Sequence, residues 1–249
     1  MRYIFPYIVG LATWILLALV VLIPSGALWL LAALIGLWML VVAVVGRLEA
    51  YREWTWWLSV LLFFVTSYGL VLVVVSPTVR NLYILGVGIM NALLIIAAGE
   101  YVHGSHRFLA RRHLPLLDFA CLVTFMQSAA MIFFFRVSFG ARTLSSVGII
   151  TLVALIVSRS AIRFHGLVKS SETLVLSVIG LTVAEFAFVA MLLPFHYYVL
   201  AALLAGWYYF LIELIVAGQS VTSRGSIFRR YSWFLISFCI MLFITARWQ

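Results

Sequence analysis

Charge is what this sequence has least of. Asp, Glu, Lys and Arg make up 9% of its 249 residues, against roughly 25% in an ordinary soluble domain. Apolar residues reach 66% and mean hydropathy is +1.22. Such a chain could bury a core in water but has too few polar residues to cover it, so lipid is the solvent that suits its surface. Lysine is reduced to Lys169 alone. It falls in a predicted loop, which excludes a mid-helix Schiff-base lysine of the rhodopsin kind. The two cysteines, Cys121 and Cys239, lie in apolar runs without CxxC spacing. They read as small buried hydrophobes rather than as a disulfide framework or thiolate metal site. Five histidines are too few for the histidine clusters of membrane desaturases. Glycine-rich phosphate loops, an N-x-S/T sequon, the paired glutamates of CAAX-type proteases, the aspartate-rich motifs of prenyltransferases and the Ser/His pair of rhomboids are all missing.

A net charge of +9 is high, but its basic residues form no patch. They stand in twos and threes between apolar runs, the pattern of topology signals rather than of nucleic-acid contact.

What is present is a succession of apolar runs, each long enough to cross a hydrocarbon core. They predict nine spans, at about 3–23, 27–46, 55–75, 82–98, 114–135, 143–162, 172–193, 197–217 and 230–246. The fold class is therefore all-α, a single polytopic bundle of transmembrane helices. The apolar run near Arg2 is longer than a signal-peptide core and reads as a retained first span. Short breaks carry turn chemistry: Pro24-Ser25-Gly26, Ser76-Pro77 and Leu193-Pro194. Pro115 is expected at the start of the fifth span, where its missing N–H costs nothing. With the N-terminus cytoplasmic, the inside segments hold Arg2, Arg47, Arg52, Arg107, Arg111, Arg112, Arg159, Arg163, Lys169, Arg224, Arg229 and Arg230. The outside segments hold only Arg80, Arg136, Arg142 and Arg247, so twelve of the sixteen basic residues fall inside and the C-terminus is outside. Trp54, Trp56, Trp57, Tyr197, Tyr198 and Trp248 sit where interfacial aromatics belong.

The residue with the strongest claim to function is Glu185, near the middle of the seventh span, where an ionised carboxylate is costly. Gly180, Ala184, Ala202 and Gly206 are placed to let spans seven and eight approach closely, with Tyr209 at similar depth. Glu185 then reads as a proton- or cation-binding carboxyl, or as a protonated group hydrogen-bonded across the helix pair. Asn91, Gln127 and Tyr209 are candidates for the same midplane site. Thr66, Ser67, Tyr68 and Ser128 are further mid-depth polar groups, each equally suited to holding helices together.

A second cluster lies at the cytoplasmic rim: Glu100, His103, His106, Arg107, Arg111 and Arg112. One Glu-x-x-His unit is too little for a di-iron bundle site, and Glu100 and His106 are about 9 Å apart along a helix; no metal or cofactor is expected. The arginines suit anionic lipid headgroups or an isoprenoid phosphate. Asp118 and Glu172 are expected in first turns, favoured by the helix dipole. Glu213, at the unfavourable pole of span eight, is expected to pair with Arg159.

Three functions follow as expectations. The first is a small transporter or proton-coupled protein using Glu185. The second is a non-catalytic subunit or scaffold whose protein partner sits within the membrane. The third is an embedded enzyme acting on a lipid or isoprenoid phosphate at the rim. The bilayer itself is the one assured partner, nucleic acid is not expected, and compact loops suggest a prokaryotic cytoplasmic membrane.

Overall fold

A computed structural model describes residues 4–45, 54–103, 107–165 and 172–218, together with 232, 233, 236 and 240. The expected ninth span, at 230–246, falls almost wholly outside the described residues. The remainder are eight long helices: α1 Phe5–Leu22, α2 Ala27–Val45, α3 Trp54–Val73, α4 Pro77–His103, α5 Arg107–Phe139, α6 Thr143–Phe164, α7 Glu172–Ala190 and α8 Tyr197–Gly218. Seven helices are long and apolar enough to cross a membrane, and α3 contributes a shorter apolar stretch, Trp57–Val73. The described residues contain no strand. The chain is thus an all-helical protein of the membrane type.

The helices gather into two compact units, Met1–Ala120 and Cys121–Gln249. In the first, α1 packs chiefly on α4. Its buried residues Pro6, Val9, Gly10, Thr13, Leu17 and Val20 recur at helical spacing, one face turned inward. Glycine sets the separation. A Cβ on Gly10 would lie 2.7 Å from the Gly88 carbonyl oxygen and 2.8 Å from the Ala92 Cβ, and one on Gly88 would lie 2.9 Å from the Trp14 Cβ. The Thr13 hydroxyl, fully buried, donates to the Val9 carbonyl at 2.8 Å. A single 3-10 turn at Pro24–Gly26 joins α1 to α2. α3 is tied to α2 at both ends: the Tyr68 hydroxyl donates to the Ala27 carbonyl, and Trp38 Nε1 donates to the Trp57 carbonyl at 3.0 Å.

In the second unit, α7 lies between α6 and α8 in packing. It turns Ile179, Gly180, Val183, Ala187 and Ala190 inward. A Cβ on Gly180 would sit 3.1 Å from a Leu155 methyl of α6. The small face expected to serve the α7–α8 contact therefore serves α6 at this position. α7 and α8 meet instead through the stacked rings of Phe186 and Trp207, 5.2 Å apart. The end of α5 is closed by Gly140 at φ +67°, whose N–H reaches the Arg136 carbonyl at 3.1 Å. That left-handed cap suits glycine. Arg136 then reaches across to the carbonyl of Met191, at 2.9 Å, just past α7. A cation so placed satisfies an end-of-helix acceptor.

Two expectations about α5 are corrected. Pro115 lies inside the helix, because α5 begins at Arg107. Asp118 is consequently an interior residue rather than a first-turn one. The 33 residues of α5 amount to about 50 Å at 1.5 Å per residue, well beyond a hydrocarbon core of about 30 Å. The helix runs on through the charged stretch that the apolar pattern could not register.

Candidate functional site

Glu185 lies on α7 with about 20 Å of helix before it and about 8 Å after it. It is well inside the span, though nearer the C-terminal end than the middle. Its side chain is exposed, on the side of α7 opposite the buried row of Ile179, Gly180, Val183, Ala187 and Ala190. Around it the outward surface is apolar: Val178 is 47% exposed, Leu181 64%, Phe188 43% and Leu192 66%. Among the described residues Glu185 has no hydrogen-bond or ion-pair partner. The neighbouring hydroxyls differ, since Ser177 and Thr182 donate to the Thr173 and Val178 carbonyls of their own helix at 2.9 and 2.8 Å. Glu185 is thus an outward polar group of α7 without a local acceptor or donor.

The midplane candidates fall in different units. Asn91 belongs to the first unit, while Gln127, Tyr209 and Glu185 belong to the second. Gln127 is buried on α5 and engaged by neighbours. Tyr209 is half-buried, and its neighbour Tyr208 is the core residue. Tyr208 packs its ring 4.4 Å from that of Phe125 and accepts a hydrogen bond from Ser158, itself fully buried, at 3.3 Å. Tyr208 and Ser158 were not singled out from the sequence. The signal for Tyr208 was the row Ala201, Leu204, Ala205, Tyr208 and Ile212, which recurs at helical spacing and is buried throughout. Depth alone did not separate it from Tyr209.

Asn91 is 1% exposed, and neither its amide nitrogen nor its oxygen has a partner among the described residues. Buried amides are ordinarily satisfied, and leaving one empty costs about 1–3 kcal/mol. The same face of α4 carries Tyr83 and, one turn earlier, Arg80. Arg80 Nε is buried without a partner, and the Tyr83 hydroxyl is turned to Ser67 without reaching the geometry of a full hydrogen bond. Arg80, Tyr83 and Asn91 are thus three underused polar groups along about 16 Å of one helix face. Thr66 and Ser128 have local acceptors, at 2.6 Å on Leu62 and 2.8 Å on Thr124.

The expected pair of Arg159 with Glu213 is not formed. Arg159 Nε donates to Glu172 at 2.9 Å, and Arg163 Nε lies 3.6 Å from the same carboxylate oxygen. Glu172 opens α7 as expected, and the antiparallel packing of α6 and α7 brings it beside the last turns of α6. Glu213, on α8, is half-buried and has no ion pair among the described residues.

Of the rim candidates, Glu100 and His103 stand in the last turn of α4. Arg107, Arg111 and Arg112 stand in the first turns of α5. His106, and the side chains of all the others, lie outside the described residues. Among the described residues no three His, Cys, Asp or Glu side chains come together as a metal site would require.

Between α7 and α8, His196 accepts from the Tyr198 N–H through Nδ1 at 3.4 Å, while its carbonyl takes the N–H groups of Val199 and Leu200. Its ring lies 4.1 Å from that of Tyr197. Burial pushes the imidazole below its ordinary value of 6.5. His196 therefore stands immediately before α8 and closes its first turn.

No protein-family description matches the chain. No curated protein matches it. No solved structure matches it either.

Proposed function

We propose that this chain is a membrane-embedded subunit that works in an assembly, with the outward face of α7 as its docking element. The outward position of Glu185 carries the reading. An ionised side chain facing lipid inside a span is costly, and a transporter would gain nothing by turning its proton-carrying group away from its own core. A second membrane helix laid on α7 relieves that cost by supplying a hydrogen-bond partner. The assembly sits in a prokaryotic cytoplasmic membrane, with the N-terminus and most arginines facing cytoplasmic anionic headgroups and the C-terminus outside.

The test is a photo-reactive amino acid at Phe188, irradiated in native membranes. A protein adduct is expected. Adducts to lipid alone, at Phe188 and equally at Leu181, would sink the assembly reading.

A second reading is supported by the row of Arg80, Tyr83 and Asn91 on α4. Three buried polar groups lacking full partners in the first unit suit a pathway for water, protons or a small polar solute. This transport reading does not use Glu185. It predicts that Asn91→Leu abolishes flux into proteoliposomes while Glu185→Gln leaves it intact. The enzymatic reading at Glu100 and His103 rests on the sequence alone.

A further inference from the structure

We propose that the row of Arg80, Tyr83 and Asn91 on α4 is a path for a small monovalent anion, with Arg80 at its mouth. The inference rests on the transport reading of that row and names its solute.

Charge carries the argument. Arg80 is the one charged residue in segments 3–46 and 54–99, which hold all of α1, α2 and α3 and nearly all of α4. It is half-buried, and among the described residues its side chain has no hydrogen-bond or ion-pair partner. The other arginines whose side chains are described are accommodated. Arg136 donates to the Met191 carbonyl, Arg159 and Arg163 share Glu172, and Arg142 is exposed. No carboxylate of the first unit serves Arg80. Glu100 stands about 30 Å further along α4, and Asp118 of α5 is engaged elsewhere. A guanidinium taken out of water without a counter-ion is costly, so the counter-ion comes from outside these helices.

Hydrogen-bonding capacity points the same way. Arg80 offers donors only, Tyr83 offers its hydroxyl, and the Asn91 amide offers two donors against one carbonyl oxygen. Asn91 is 1% exposed with both amide atoms unpartnered, and the Tyr83 hydroxyl and Arg80 Nε are buried in the same condition. A cation would need carboxylates or a ring of carbonyls, whereas basic side chains line anion pores. The charge of the solute follows from the count. One guanidinium is neutralised by one negative charge, and a divalent anion would leave a charge uncompensated in a medium of low dielectric.

The order along the helix suits entry from its start. Ser76, Pro77, Thr78 and Val79, just before Arg80, are exposed. Tyr83 is the neighbour of Arg80 on the helix surface, and Asn91 stands about 12 Å beyond Tyr83. Asn91 falls between Gly88 and Ala92, where α1 comes so close that Gly10 has no room for a Cβ. The amide is thus the innermost station, beside the seal that parts for passage.

The test uses the full chain reconstituted in liposomes loaded with potassium chloride. With valinomycin carrying potassium, chloride should leave faster than from protein-free liposomes. Arg80→Gln should slow that release by roughly tenfold or more, as expected for the loss of a buried countercharge. Arg80→Lys, which keeps the charge, should restore much of it. Asn91→Leu should slow it as well, while Arg142→Gln, which removes an exposed arginine of the second unit, should match the parent. Sulfate should leave no faster than from protein-free liposomes. Chloride release that Arg80→Gln leaves unchanged, or sulfate release as fast as that of chloride, would overturn the inference. So would passage of protons, of glycerol or, without valinomycin, of potassium in a chain that holds chloride back, and the transport reading would then stand. Passage of none of these solutes removes both.

Discussion

Asn91 and His196 show how single polar side chains set local stability here. Replacing Asn91 with Leu removes two unpartnered amide atoms from a closed interior. The variant should melt higher in detergent, by about 1–3 kcal/mol of added stability; a lower melting point would mean that the amide is satisfied in the native protein. For His196, burial holds the folded value below 6.5. The unfolded chain therefore binds more protons between the two values, and stability falls as pH drops from 6.5 through the folded value. Protonation also removes the Nδ1 acceptor from the Tyr198 N–H. Melting curves on either side of pH 6.5 should show this loss, and His196→Gln should flatten it. Asn91 was legible from the sequence as a polar residue in mid-span, but its lack of partners was not. That lack depends on which α1 and α3 side chains reach it, a matter of packing rather than periodicity. Glu185 was legible in type and approximate depth, while its direction was not. The apolar residues of α7 run almost all round the helix, so hydrophobicity does not mark which side faces the core.

At the scale of elements, close helix approach and helix ends decide most. Gly10→Val should separate α1 from α4, because its branched Cβ would meet the Gly88 carbonyl and Ala92. A loss of about 1–3 kcal/mol is expected from such overpacking, read as a lower melting temperature and as protease sensitivity within Met1–Ala120. A variant indistinguishable from the parent would mean that this crossing is looser than described. Between α6 and α7, Glu172→Gln removes one acceptor shared by Arg159 and Arg163. The pair is partly exposed, so about 1 kcal/mol or less is expected, with Arg159→Gln adding little once Glu172 is gone. A fully additive double variant would show that the two side chains do not act together. Helix limits were largely legible, because apolar runs end where Pro, Gly and Arg begin. α4 and α5 outran the reading. Their charged ends remain helical without being apolar, and a hydropathy pattern stops where the hydrocarbon does. The Arg159–Glu213 expectation failed for a related reason: depth along two helices does not say which side chains turn toward each other, and Arg159 turns to Glu172 of α7 although α6 also meets α8.

For the whole molecule, the order of helices and the all-helical class were legible because lipid demands internally satisfied backbone in every span. The grouping into two units was not, since it arises from which side chains interlock: α1 packs on α4, three helices on, whereas α7 packs on its sequence neighbours α6 and α8. The division falls within α5, between Ala120 and Cys121. The charge asymmetry makes an overall prediction: a cysteine at Ser76 or Ala141 should react with an impermeant reagent from outside, and one at Ser105 should not. The reverse pattern would invert the orientation. The Ser158–Tyr208 contact has a further consequence, which concerns synthesis. Ser158 donates to a residue 50 positions later in the chain. At about 5–20 residues per second, roughly 3–10 s pass between the making of the donor and the arrival of its acceptor. During that interval the polar face of α6 is already made and α8 is not. Until the eighth helix is delivered, the acceptor within reach of the Ser158 hydroxyl is a carbonyl one turn back in α6 itself, the arrangement Ser177 and Thr182 keep in the finished protein.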